Sequence, residues 1–368
     1  MVKTSMTMRD YIEEAPGVAR VNLSRWNELT QPAADLCAVL PGSLPRNIWL
    51  IASGSSHNAA CIARPFMESC LGSNVRLHVV TPFTFVHYEH DVHIDDLALV
   101  ISQSGFSTNA LEALEALRSL GRPAVCVTGN VAADAADHAD TIIDYGVGEE
   151  EVGYVTKGVT TLALFLMLVA VRLSGKTERL AELVHALDAA DAVRKSSYDF
   201  VDAHFKALTS MSSCYCCAAG GTMGVAFEGA LKIGETVHVP SVAYEVEEYI
   251  HGPNLQLTPN HTVFFFDAND DASARMAQIY RATREVTDRG FLVTGNTAFA
   301  EDGNALVLPA KLIPTSDTAG LAYLPFVQLV SFLVSDALGS TKQHPLLRRF
   351  KAIAASKTEH WVNLDGDE

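Results

Sequence analysis

The sequence predicts an α/β protein made of two similar units, each a parallel sheet covered by helices on both faces. Its 368 residues exceed the roughly 100 to 200 residues of one ordinary domain. Short runs rich in Val, Ile and Leu alternate with segments of helical periodicity, which is typical of buried parallel strands. The same order of strand, turn and helix occurs twice. Together these observations indicate a duplicated, doubly wound fold.

The first half contains five short β-prone runs. The run at 47–52 ends in Ser53-Gly54-Ser55-Ser56, and helical spacing follows over 57–70. The other strands are predicted at 75–80, 97–101, 124–127 and 141–144, with helices at 107–120 and 155–173. The apolar stretch 159–171 falls short of the roughly 20 residues that span a bilayer, so we expect a buried helix there.

The second half repeats this order. Strands are predicted at 213–219, 262–267, 291–294 and 305–308, with helices up to about residue 236, near 272–289 and near 320–338. The expected divisions are an N-terminal helical segment (1–45), a first domain (46–178), a helical connector (179–210), a second domain (211–340) and a C-terminal tail (341–368). No Pro- or Ser-rich linker separates the halves, so we expect them to pack closely.

Composition excludes several classes of function. The chain has 27 Lys and Arg against 43 Asp and Glu, a formal charge of −16, which argues against nucleic-acid or membrane partners. The N-terminus lacks the apolar core of a signal peptide, and an odd number of seven cysteines favours reduced thiols over a disulfide framework. We therefore expect a cytoplasmic location.

Two hydroxyl-rich loops follow predicted strands of the first half. Ser102-Gln103-Ser104-Gly105-Phe106-Ser107 is a strand end that leads into a helix, and Ser53–Ser56 is the second such loop. Helix N-termini and hydroxyl donors can hold a phosphate without Lys or Arg, and loops at the carboxyl ends of parallel strands can converge. The alternative is that these residues only cap helices. Neither loop is a Walker A or a Gly-x-Gly-x-x-Gly motif, so nucleotide phosphates are not indicated.

The second half carries titratable side chains at helical spacing. Glu228, Lys232 and Glu235 are four and three residues apart, which places them on one helix face, and His251-Gly-Pro follows. Such a face can be a solvated salt-bridge stripe, and a lone loop histidine can be structural. The Ala, Leu and Ile around these residues favour a catalytic cluster over a surface stripe. No His, Cys and Asp grouping has metal-ligand spacing, so no metal or other cofactor is expected.

At these motifs the sequence resembles the sugar isomerase (SIS) domain family. It is similar to the tandem-SIS isomerase half of the glutamine–fructose-6-phosphate transaminases, and to stand-alone phosphosugar isomerases, deaminases and fructosamine-6-phosphate deglycases. The similarity rests on six segments in order: 8–16, Gly54-Ser-Ser56, Ser102–Gly105, Tyr154–Gly158, Glu228–Glu235 and His251-Gly-Pro253. The resemblance implies two five-stranded, flavodoxin-like domains and a tail that closes the site.

The resemblance also implies roles for individual residues. Six side chains are expected to hold the sugar phosphate: Ser55, Ser56, Ser102, Gln103, Ser104 and Ser107. Glu235 is expected to move a proton between C1 and C2, which calls for a partly desolvated carboxyl with a raised pKa. Lys232 is expected to shuttle a hydroxyl proton. His251 is expected to assist ring opening, donated by the partner subunit of a homodimer.

One departure concerns the lysine that forms an imine in the transaminases. His344-Pro345 stands where the family has Gln-Pro, and Phe350 occupies the position of that lysine. Lys351 and Lys357 are the nearby candidates, and Lys357-Thr358 is the better match to the family's terminal segment. The amidotransferase half of those transaminases has no counterpart in this sequence, so glutamine-dependent synthesis is not expected.

The sequence therefore predicts a phosphosugar aldose–ketose isomerase or deaminase that converts an amino-sugar 6-phosphate. The alternative enzyme is a fructosamine-6-phosphate deglycase, and Glu245, Glu247 and Glu248 could then meet an ammonium group on the substrate. A non-catalytic sugar-phosphate sensor remains a third hypothesis.

Overall fold

The computed structural model describes residues 6–42, 44–150, 153–340 and 344–361. The chain forms two compact units. The first holds the described residues up to Arg179 and those from His344 onward, and the second begins at Leu180 and includes the described residues up to 340.

The first unit contains one parallel sheet of five strands, ordered β2-β1-β3-β4-β5. All five predicted strands are confirmed, within one residue of the expected bounds: β1 (Asn47–Ala52), β2 (Arg76–Val80), β3 (Leu97–Ile101), β4 (Val125–Thr128) and β5 (Thr141–Asp144). Every residue of β1 and β3 is buried, since helices cover both faces of the sheet.

Among the described residues, seven α-helices accompany this sheet: α1 (Met8–Ser24), α2 (Trp26–Ala38), α3 (Gly54–Leu71), α4 (Pro82–His87), α5 (Thr108–Ser119), α6 (Ala135–His138) and α7 (Lys157–Ser174). The short α4 and α6 were not predicted. α7 packs against α1, α2 and α3. It is long and apolar enough to cross a membrane, but 83% of it is buried inside the unit, which confirms the expected buried helix.

The second unit repeats the topology of the first. Its strands are β6 (Cys214–Ala218), β7 (Ser241–Glu245), β8 (Thr262–Phe266), β9 (Gly290–Thr294) and β10 (Ala305–Val307), in the parallel order β10-β9-β8-β6-β7. Numbered within each unit, both sheets have the order 2-1-3-4-5, which confirms the predicted duplicated α/β fold. β7 was missed because it is a short edge strand with no fully buried residue, so it lacks an apolar pattern.

In the described part of the second unit there are six α-helices: α8 (Leu180–Ala203), α9 (Phe205–Thr209), α10 (Met223–Thr236), α11 (Val246–Ile250), α12 (Ser273–Arg284) and α13 (Ala319–Leu338). The range expected to be a connector is thus mostly α8. This helix packs against α13, burying Leu183, Leu187 and Val193 along one face. α13 is also long and apolar, and 72% of it is buried.

The C-terminal segment belongs to the first unit. It contains α14 (Leu347–Ile353), whose residues are all solvent-exposed, and an extended stretch that pairs with the loop after β3. The chain therefore brings its last described residues to the carboxyl end of the first sheet.

Candidate active site

The two hydroxyl loops of the first unit start at the same edge of the sheet. Ala52, the last residue of β1, is paired with Ile101, the last residue of β3. The connection after β1 leads to β2 on one side, and the connection after β3 leads to β4 on the other. A crevice opens where neighbouring connections diverge in this way, and it is the usual ligand site of open α/β sheets.

A direct hydrogen bond joins the loops. The Asn109 side-chain amide, in the first turn of α5, donates to Ser53 Oγ over 3.1 Å. α3 begins at Gly54, so Ser55 and Ser56 lie in its first turn, where backbone N–H groups have no partner within the helix. The two serines are only 7% and 8% exposed. The N-terminus of α3 and the loop after β3 therefore lie at the same edge of the sheet.

The loop after β3 is held in a tight turn. Ser102 Oγ donates to Ser107 Oγ over 3.3 Å, and the Phe106 N–H donates to Ser104 Oγ over 3.3 Å. Gly105 has φ +71°, and a Cβ there would come within 2.5 Å of the Ala133 side chain. Only glycine fits this position without strain. The turn thus gathers three serine hydroxyls at one place.

Lys357 brings an ammonium group to these hydroxyls. Its Nζ donates to Ser104 Oγ over 2.7 Å and to Ser107 Oγ over 2.9 Å. The backbone fixes this position, because the Thr108 N–H donates to Ser356 O over 3.2 Å and the Thr358 N–H donates to Phe106 O over 2.9 Å. Burial lowers the pKa of the Lys357 amine. We call Ser102, Ser104, Ser107 and Lys357 the hydroxyl–lysine cluster.

The structure distinguishes the two candidate lysines. Lys351 lies on the exposed helix α14, whereas Lys357 is half-buried among the serines. The Thr108 N–H, one of the helix donors expected to face a ligand, is occupied by the C-terminal segment. The cation beside the loop therefore comes from a part of the chain about 250 residues away in sequence.

Gln103 has a different environment from its serine neighbours. Its Nε2 donates to Glu150 Oε2 over 2.5 Å, while its Oε1 is buried without a hydrogen-bond partner in the described part of the chain. Glu150 also accepts hydrogen bonds from three backbone N–H groups at the start of α7. Burial raises the pKa of the Glu150 carboxyl, although these donors oppose the rise. The amide of Gln103 is thus engaged with the protein itself.

The acid–base residues of the second unit form a compact cluster on α10. Lys232 Nζ lies 2.8 Å from Glu235 Oε2 and 3.5 Å from Glu228 Oε1. The side chains of Lys232 and Glu228 are 1% and 0% exposed, while that of Glu235 is 36% exposed. The three residues are therefore not a solvated surface stripe. A buried ammonium is held by two carboxylates, and one of them can reach solvent or a ligand.

His251 lies where the chain leaves α11. Its backbone N–H donates to Glu248 O over 3.1 Å, and Gly252 at φ +144° turns the chain immediately afterwards. The imidazole is exposed and makes no hydrogen bond within the described part of the chain. The structure thus presents His251 on a surface turn, and it forms no hydrogen bond with the α10 cluster.

Two of the nearby carboxylates have structural partners. Glu245 caps α11 by accepting from the backbone N–H groups of Glu247 and Glu248, over 2.9 and 3.1 Å. Glu247 is bound by the guanidinium of Arg275. These contacts weaken the hypothesis that Glu245, Glu247 and Glu248 together bind an ammonium group on the substrate.

Sequence reasoning missed Glu150. A partial indication of this residue was present in the sequence, because the acidic run Glu149-Glu150-Glu151 stands just before the motif Tyr154–Gly158. Its contact with Gln103 spans 47 residues and depends on how α7 returns to the sheet. A local pattern therefore could not assign it.

Comparison with known proteins agrees with this architecture. Residues 45–171 match the SIS domain family. Glutamine–fructose-6-phosphate aminotransferase [isomerizing] from Pyrobaculum aerophilum is 27% identical over 267 residues, covering 70% of this chain and 42% of the relative. The chain spans about half the length of the curated relatives it matches.

Two solved structures share the fold. A protein from Clostridium difficile 630, provisionally described as a phosphosugar isomerase, superimposes with a TM-score of 0.82 at 23% identity, covering 96% of this chain and 99% of its own. Glucosamine-6-phosphate deaminase from Thermotoga maritima gives a TM-score of 0.70 at 18% identity, with 91% and 97% covered. Residues 45–171 of the first unit thus match the SIS domain family, and the second unit repeats the same strand order.

Proposed function

We propose that this protein is a phosphosugar aldose–ketose isomerase or deaminase that acts on an amino-sugar 6-phosphate. The observation that carries the proposal is the hydroxyl–lysine cluster at the crevice of the first sheet. Its chemistry suits a phosphate monoester, and the α10 cluster offers a carboxylate for proton transfer. The likeness to a phosphosugar isomerase and to a deaminase supports the same class.

The first unit supplies phosphate recognition in this proposal. Three hydroxyls donate hydrogen bonds to phosphate oxygens, and the Lys357 ammonium contributes the positive charge that the loop itself lacks. Hydrogen bonds in which one partner is charged are roughly twice as strong as neutral ones. Ser55 and Ser56 add hydroxyls and helix N–H groups from the N-terminus of α3.

The second unit supplies the acid–base group. Glu235 removes the proton from C2 of the open-chain 2-amino aldehyde, which leaves an enaminol, and returns a proton to C1. The product is the C2 imine of the ketose. Water hydrolyses it to fructose 6-phosphate and ammonia, so atoms and charge balance. Lys232, whose ammonium lies 2.8 Å from Glu235, gives a proton to O1 as the enaminol forms and recovers one from the nitrogen as the imine forms.

Two further assignments stay predictions. A homodimer in which the partner subunit donates His251 agrees with the exposed position of that imidazole. The deglycase hypothesis keeps the same proton chemistry, but Glu245 and Glu247 are engaged within the unit, which leaves Glu248 as the carboxylate that could meet an ammonium group on the substrate.

The decisive experiment replaces Glu235 with Gln. The amide keeps the shape of the side chain but cannot accept the proton, so ammonia release from glucosamine 6-phosphate should fall by roughly 100-fold to 10,000-fold. The dissociation constant for the sugar phosphate, measured by calorimetry, should change by less than about threefold, because the phosphate is held elsewhere.

Glu248→Gln is the matched control, since Glu248 is an exposed carboxylate of the same unit. Activity in the Glu235→Gln variant close to that of the control would remove Glu235 from the mechanism. Ammonia release from glucosamine 6-phosphate, compared with amino-acid release from a fructosamine 6-phosphate, decides between deaminase and deglycase.

A further inference from the structure

Glu150 is the centre of a hydrogen-bond cluster that joins two separate parts of the first unit. Its Oε1 accepts from the N–H groups of Thr156 and Lys157 over 2.8 and 2.7 Å. Its Oε2 accepts from the N–H of Gly158 over 2.9 Å and from Gln103 Nε2 over 2.5 Å. One half-buried carboxylate thus receives four donors, one from Thr156 just before α7, two from the first turn of α7 and one from the loop after β3.

This arrangement determines which way the Gln103 amide faces. Three backbone N–H groups point at the carboxyl oxygens and stabilise the ionised form, which only accepts hydrogen bonds. The NH₂ end of Gln103 must therefore point toward Glu150. Gly158 permits the contact, since a Cβ at that position would overlap the amide oxygen of Gln103.

The backbone of Gln103 is fixed as well. Its carbonyl oxygen accepts from the Gly129 N–H over 3.0 Å and from Thr128 Oγ1 over 3.2 Å. Gln103 stands between Ser102 and Ser104, two members of the hydroxyl–lysine cluster. A residue held at both its side chain and its carbonyl limits the movement of these neighbours.

We propose that Glu150 is a positioning residue that holds the 102–107 loop in its phosphate-binding shape through the side chain of Gln103. Gln103 then serves the site by anchoring the loop to the start of α7. The part of this inference that concerns phosphate rests on the proposed function. The competing role for Glu150 is ordinary capping of α7, which would involve the three backbone N–H groups alone.

A double-mutant cycle separates the two roles. Glu150→Ala, Gln103→Ala and the double variant are compared by hydrogen exchange, with peptides covering 102–108 and 156–160 measured separately. If Glu150 acts through Gln103, each single variant should raise exchange in 102–108 by roughly tenfold, and the double variant should exceed the larger single effect by less than about twofold. Additive effects in 102–108, or a Glu150→Ala effect confined to 156–160, would overturn the proposal.

Gln103→Leu keeps the proposal testable even if the Glu150 variants fail to fold. It removes the link to the loop while leaving Glu150 to cap α7, so exchange should rise in 102–108 and stay unchanged in 156–160. Unchanged exchange in both peptides would also overturn the proposal. Strands β6 and β8 of the second unit provide the internal standard for folding.

Calorimetry with glucose 6-phosphate provides the second measurement. Glu150→Ala and Gln103→Leu should each weaken its binding by roughly 5-fold to 20-fold, by comparable factors. Wild-type protein that fails to bind any sugar phosphate would contradict the proposed function, while the exchange data would still decide whether Glu150 positions the loop.

Discussion

The two units place different chemistry at equivalent points of the same fold. In the first unit, the loops after β1 and β3 carry serines, and Lys357 joins them. In the second unit, the loop after β8 begins with Asp267, which is 4% exposed. Its carboxylate accepts from Thr294 Oγ1 over 2.6 Å, from Ser273 Oγ over 2.5 Å and from the Asn269 N–H over 3.1 Å.

The second loop is filled by its own side chains. Asn269, at φ +58°, accepts from the Gly295 N–H over 2.6 Å and donates to the Tyr323 hydroxyl over 2.7 Å. A buried carboxylate occupies the donors that a phosphate would need, and its charge would repel a dianion. The comparison teaches that the topology provides a crevice in both units, while the residues at the crevice decide whether it can hold an anion.

The largest expected effect comes from giving the first loop the character of the second. Ser104→Asp places a carboxylate beside the Lys357 ammonium, which lies 2.7 Å from the Ser104 hydroxyl, so the new charge pairs with the ammonium and repels phosphate. Sugar-phosphate affinity, measured by calorimetry, should fall by roughly 100-fold or more, equivalent to about 2.7 kcal/mol.

Ser104→Ala is the matched control for that change. It removes one neutral hydroxyl without adding charge, and it should cost about 1 kcal/mol of binding. Equal losses in the two variants would show that charge is not what distinguishes the loops.

The second expected effect is on the stability of the protein and not on its affinity for sugar phosphates. Asp267→Asn removes an acceptor and introduces an NH₂ group among donors, so the free energy of unfolding in urea should fall by about 2 kcal/mol. Asp271→Asn, on the exposed part of the same loop, should change it by less than about 0.5 kcal/mol. A clear loss of sugar-phosphate affinity in Asp267→Asn would contradict the division between the units.

The smallest expected effect is a dependence of stability on pH. Burial lowers the pKa of Lys357, so the unfolded chain binds this proton more tightly than the folded chain does. Its protonation therefore disfavours folding fully below the lowered pKa, and this penalty disappears as the pH rises through the unfolded value of 10.5.

Urea unfolding measured from about pH 8 to about pH 10.5 tests the direction of this change in stability. The stability of the wild type relative to Lys357→Met should rise over this range by roughly 1 kcal/mol or less, because the group is partly exposed. Lys351→Met, on the exposed α14, is the control. A flat or falling difference would mean that the ammonium is better solvated than its contacts indicate.

The sequence by itself determined the architecture. Buried parallel strands are continuous apolar runs of a few residues, so nine of the ten strands and the central helices could be located from local composition. The spacing of Glu228, Lys232 and Glu235 likewise follows from helix geometry alone. The edge strand β7 was not predicted, because its residues are only partly buried and do not form a continuous apolar run.

The tertiary structure decided what surrounds each of these residues. It brought Lys357, and not Lys351, to the serine hydroxyls, and it joined Gln103 to Glu150 across 47 residues. It also showed that Glu228 and Lys232 are buried while Glu235 stays partly exposed, because neighbouring elements cover most of that face of α10. Contacts between residues distant in sequence depend on how the elements pack, and local composition and periodicity do not encode that packing.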